Sequence, residues 1–62
     1  MKIVFESSTA IVAYLDTGHL LRTDRTSGAL YRSRGTCENF DSAKRAYPFL
    51  LASAWNPVRR PN

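Results

Sequence analysis

The chain is expected to fold as an α+β domain, a four-stranded antiparallel β-meander with one carboxyl-terminal helix packed across one face. Two patterns carry that expectation. From Lys2 to Arg34 the β-branched and aromatic residues fall in short runs cut by "ESST", "DTG" and "DRTSG", which is how strands and turns alternate. From Phe40 the text becomes "FDSAKRAYPFLLASAW", where Ala43, Tyr47, Leu50 and Ala54 recur at helical spacing and Ala46 and Leu51 widen the stripe.

The strands are placed at residues 2–6, 10–15, 19–23 and 29–34. A three-residue turn at Asp16-Thr17-Gly18 pairs Leu15 with His19, and a five-residue turn from Asp24 to Gly28 pairs Thr23 with Ala29. A Ser7-Ser8-Thr9 loop sends Ile3 and Phe5 inward. On this register one face gathers Ile11, Ala13, Leu15, Leu21, Ala29 and Tyr31, the expected seat of the helix. The other gathers Val12, Tyr14, Leu20 and Leu30 with three arginines, Arg22, Arg32 and Arg34. A slip of one residue in any turn sends a strand's whole side-chain set to the opposite face.

For the helix, Asp41 is the expected N-cap with Phe40 as a hydrophobic staple before it. Pro48 lacks an amide donor and its ring clashes with the preceding turn, so the helix must kink there or restart with Pro48 in its first turn. Trp55 is expected to close the small core. The domain is read as residues 1–56, with a basic, proline-bearing tail at 57–62.

At 62 residues the chain makes one domain. Folding at this length buries only about 60% of the unfolded chain's surface, which leaves no room for a sizeable internal pocket, and no cofactor is expected. A single cysteine, Cys37, excludes an internal disulfide framework and suits a reducing cytoplasm. No run approaches the ~20 apolar residues of a membrane helix, so a cytoplasmic chain without membrane partners is expected.

Nine Lys plus Arg against five Asp plus Glu give a net charge of +4, and seven of the nine cations are arginine. The planar guanidinium grips carboxylate and phosphate with two parallel donors and stacks on rings, as lysine does not. An anionic partner is therefore favoured. His19 and Cys37 are the only pair able to supply a base and a nucleophile, with Asp16, Asp24 or Glu38 as orienting acids, but no spacing positions them and the chain is not expected to be an enzyme. One Cys and one His do not fill a tetrahedral metal site, and Gly18, Gly28 and Gly35 stand singly and form no phosphate loop.

What remains is a binding surface. Arg22, Arg32 and Arg34, with Tyr14 on the same face and Arg60 in the tail, are expected to dock on an acidic face of a larger protein or nucleoprotein complex and block it. The same basic face is also suited to a nucleic-acid-binding module, although no RNP-type run accompanies it. Free strand edges allow two copies to pair as a homodimer. In size, charge and absence of a catalytic constellation, the chain is similar to small phage accessory proteins, inhibitors of host defence such as anti-CRISPR proteins among them. That likeness implies an inhibitory binding role and rests on no particular residue.

Overall fold

The computed structural model describes residues 1–58. Five strands form one sheet: β1 (Lys2–Glu6), β2 (Ala10–Tyr14), β3 (Leu20–Asp24), β4 (Leu30–Ser33) and β5 (Trp55–Pro57). They lie in the order β1-β2-β3-β4-β5 with every neighbouring pair antiparallel. One helix, α1 (Phe40–Ala46), and two 3-10 turns at Tyr47–Phe49 and Ala52–Ala54 join β4 to β5. The α+β class, the meander and the single helix agree with the sequence; the fifth strand does not.

Pro48 explains that extra strand. It sits inside the first 3-10 turn and stops α1 at Ala46, so the helix runs for only seven residues. The chain then extends at Leu50 and Leu51, turns once more, and enters Trp55 with extended backbone (φ −114°, ψ 135°). There it lies along the free edge of β4 and satisfies groups that would otherwise be unpaired. Beyond the ladder itself, Arg34 N donates to Ala54 O at 2.8 Å and Val58 N to Leu30 O at 2.9 Å. Pro57 is tolerated because β5 is an edge strand.

The helix begins two residues earlier than expected. Asn39, not Asp41, is the cap: its side chain accepts from Ser42 N at 2.9 Å, while its own N–H donates to Ser42 Oγ at 3.0 Å. Asp41 falls in the first turn, where its charge suits the positive helix end, and Phe40 enters the helix itself.

The β2–β3 register is the expected one, with Leu15 N donating to His19 O at 2.9 Å and Tyr14 opposite Leu20. Gly18 makes that turn feasible. Its φ is +92°, and a Cβ there would lie 3.1 Å from the Cys37 carbonyl oxygen. The β3–β4 register is slipped by one residue: Thr23 faces Leu30 rather than Ala29, and Arg22 faces Tyr31. Asp24 causes the slip. Its carboxylate accepts from Thr26 N at 2.9 Å and Ser27 N at 3.2 Å, and its carbonyl accepts from Gly28 N at 2.8 Å. This closes the loop over Arg25 to Gly28, so that Asp24 N meets Ala29 O at 2.9 Å. In β1 the register shifts between Ile3 and Phe5, so Ile3 faces Ala13 but Phe5 faces Val12.

These two shifts decide where the core forms. The bulge moves Phe5 to the side that already carries Val12, Tyr14 and Leu20, and the β4 slip adds Tyr31 to it. That side now holds the bulk of the apolar volume, and α1 lies on it. Val12, Leu20 and Ala43 are fully buried, with Val4, Tyr14, Cys37, Tyr47, Leu50 and Trp55 packed around them. The expected helix seat of Ile11, Ala13 and Leu21 is thus the outer face, and Ile3, expected inside, is 47% exposed. Trp55 does pack against the core, as expected.

Ser33 is the buried polar side chain of this layer, at 6% exposure. Its Oγ accepts from Leu20 N at 2.8 Å and donates to Gly35 O at 2.8 Å, tying β3 to the loop that leaves β4. Ser33→Ala is expected to cost about 1–3 kcal/mol, since a buried amide loses its acceptor. Urea midpoints of the two proteins would measure this.

Candidate functional site

The slip between β3 and β4 divides the arginines. Because residues paired across strands share a face, Arg22 stands with Val12 and Tyr31 on the helix side, while Arg32 stands with Leu21 on the outer side. Arg34 follows Arg32 by two residues, and the bond from its N–H to Ala54 O continues the β4–β5 register, so it shares the outer side. The single three-arginine face expected from sequence is therefore two separate features. Tyr14 is also displaced from that expectation: it is half-buried on the helix side, donates through its hydroxyl to Cys37 O at 2.8 Å, and its ring lies 6.5 Å from Phe40. Arg60 lies outside the described residues.

The outer face is built from lateral rows of paired residues. One row crosses all five strands as Ile3, Ala13, Leu21, Arg32 and Asn56. The next reads Glu6, Ile11, Thr23 and Leu30. The buried core draws on the opposite side of the sheet, so Ile11, Leu21 and Leu30 remain half-buried here with Arg32 and Arg34 exposed beside them. Among the described residues neither arginine has a carboxylate partner, whereas Arg25 is paired with Glu6 at 3.3 Å. That pair is exposed on both sides and contributes little to stability, but it occupies Arg25.

A second apolar feature escaped the sequence reading. Phe49 and Leu51 are 82% and 74% exposed, on the segment that Pro48 diverts from the helix. Their helical spacing placed Leu51 on the buried stripe; once the helix ends at Ala46, only Leu50 of that run turns inward. The signal was Pro48 itself. Phe49→Ser together with Leu51→Ser is expected to shift stability by no more than about 0.5 kcal/mol, the ordinary range for surface changes. A large fall in melting temperature would show that these side chains are packed.

Two clefts flank the helix side. A cleft of about 350 Å³ is lined by Lys2, Tyr14, Asp16, Glu38 and Phe40 among others. The Lys2 and Lys44 ammonium groups stand 5.2 and 5.4 Å from the Phe40 ring centre. The other, about 270 Å³, is lined by Arg22, Asp24, Tyr31, Ala52 and Trp55. The Ser27 and then the Thr26 amide, with the Arg22 charge nearby, hold the Asp24 carboxyl below its ordinary range.

For the remaining chemistry-bearing groups, His19 Nδ1 lies 2.9 Å from Thr17 Oγ1, and Cys37 is a half-buried free thiol beside the core. Among the described residues no three His, Cys, Asp or Glu side chains cluster as metal ligands, and no helix is long and apolar enough to cross a membrane. No protein-family model, curated protein or solved structure matches this chain.

Proposed function

We propose that this chain is a non-enzymatic binding protein that docks the outer face of its sheet on an acidic surface of a larger protein or nucleoprotein complex and blocks it. The observation that carries this reading is the outer row from Ile3 to Asn56, apolar at the exposed Ile3 and the half-buried Leu21 on either side of the buried Ala13, and cationic at Arg32, with Arg34 beside it. An apolar strip left on the surface and flanked by unpaired guanidinium groups has the composition of a docking patch: apolar centre, charged rim. The +4 charge favours an acidic partner over a second copy, because two copies would bring like charges together. The role is that of a small inhibitor, the class that includes anti-CRISPR proteins.

A basic face for nucleic acid formed jointly by Arg22, Arg32 and Arg34 is not supported by this register, which puts Arg22 on the other side of the sheet. The test is affinity capture from nuclease-treated lysate with the wild-type chain and with Arg32 and Arg34 reversed to Glu. An acidic protein retained by the first and lost by the second supports the reading. Equal retention by both overturns it.

A further inference from the structure

We infer that the cleft around Arg22 is a nucleotide-sized site that takes one unit of single-stranded nucleic acid, its base against Tyr31 and Trp55 and its phosphodiester on the Arg22 guanidinium. This goes beyond the outer-face reading and uses the opposite side of the sheet.

The cleft follows from the shortness of α1. The helix and its following turn cover Val4, Val12, Tyr14 and Leu20, and the same side of the sheet continues past them to Arg22, Tyr31 and Trp55, with Asp24 and Ala52 as further walls. Arg22 and Tyr31 are directly opposed across β3 and β4, and Trp55 is opposite Ser33, two residues along β4 on the same face as Tyr31. A guanidinium and two rings are thereby fixed in one opening by sheet register rather than by loops.

Arg22 is the group that asks for a ligand. Its Nε is buried and has no hydrogen-bond partner among the described residues, which is costly for a charged donor unless an acceptor arrives. Phosphate oxygens match the guanidinium fork, and an aromatic face accepts any base, so the two together form the usual ingredients of single-strand binding. An acidic side chain from a protein would use Arg22 but leave uncovered the parts of the Tyr31 and Trp55 rings that line the cleft. The volume, about 270 Å³, lies just under the ~300–1,000 Å³ of ordinary small-molecule pockets and suits one ring system with one anionic group.

Asp24 narrows the choice further. Its carboxyl is held ionised by the Ser27 and Thr26 amides and lies near the Arg22 charge, so the cleft accepts a singly charged ligand more readily than a doubly charged one. A phosphodiester carries one charge, whereas a free monophosphate carries close to two at neutral pH. Strand-borne nucleotides are therefore preferred over free ones.

Trp55, the only tryptophan in the chain, reports on the site. Its fluorescence is expected to be quenched by a short oligothymidylate, and more weakly by thymidine monophosphate. Arg22→Gln should lower the oligonucleotide affinity by about tenfold or more, the worth of a charge-assisted hydrogen bond, and reduce the log-log salt slope by roughly 0.7. Asp24→Asn should bring the free monophosphate closer to the oligonucleotide. Tyr31→Leu, which leaves the charge in place, should weaken binding with the salt slope unchanged, and it serves as the second variant if Arg22→Gln melts early. Unmoved fluorescence, quenching by oligoglutamate equal to that by the oligonucleotide, or undiminished affinity in a folded Arg22→Gln protein would each overturn the assignment.

Discussion

Leu20→Ala is expected to destabilise the protein by about 2–5 kcal/mol, and Leu21→Ala, one residue further on, by only about 1 kcal/mol. Leu20 is 1% exposed and belongs to the buried cluster with Val12 and Ala43, so truncation leaves a cavity between sheet and helix. Leu21 lies on the outer face, where water fills the space that truncation opens. A domain of 62 residues has a total stability of roughly 3–9 kcal/mol at ordinary per-residue values, so the first change is large enough to unfold it. Denaturant midpoints of the two variants separate the faces. Were Leu21→Ala the more damaging, the helix would have to lie on the other side of the sheet.

Reversing Arg32 and Arg34 to Glu is expected to leave stability nearly unchanged and to reduce partner binding by tenfold or more. Both side chains are exposed and neither is paired, so the fold loses little. An acidic partner would then confront like charges across the docking face, where each such juxtaposition costs several kcal/mol. Lys44→Glu with Arg45→Glu is the control, the same change of net charge placed on the outer side of α1. It should weaken binding much less. Equal losses from both pairs would reduce the effect to net charge, and no loss from either would move the docking site to Phe49 and Leu51.

The elements of the fold were largely legible. Short β-branched runs between turn residues gave four of the strands within a residue or two, because alternation and turn chemistry are local properties of the chain. The Asp16-Thr17-Gly18 turn was readable for the same reason, since a φ of +92° at Gly18 is a requirement only glycine meets comfortably. The basic character was also visible, being a property of composition.

The arrangement expected of Arg22, Arg32, Arg34 and Tyr14 was not legible in the sequence: Tyr14 is half-buried against Phe40, and the grouping of the three arginines depended on a turn one residue too long. Side chains alternate with a period of two, so that single error moved Arg32 and Arg34 across the sheet relative to Arg22. The Asp24 carboxylate drew the turn tight by binding two amides of its own loop.

By itself, then, the sequence determined the local alternatives: where strands start and stop, which turns glycine permits, that Pro48 kinks or interrupts the helix, and that the chain is rich in arginine. Tertiary structure decided among registers that local strand pattern does not distinguish. The bulge at Val4, the tight Asp24 turn and the pairing of β5 with β4 each change little in their own neighbourhood. Together they gather Val4, Phe5, Tyr14, Tyr31 and Trp55 on the side of Val12 and Leu20, and apolar area is most fully removed from water when the helix covers that side. The arginine surfaces follow from that burial, because once one face is taken by the core the register alone assigns Arg32 and Arg34 to the outside and Arg22 to the cleft.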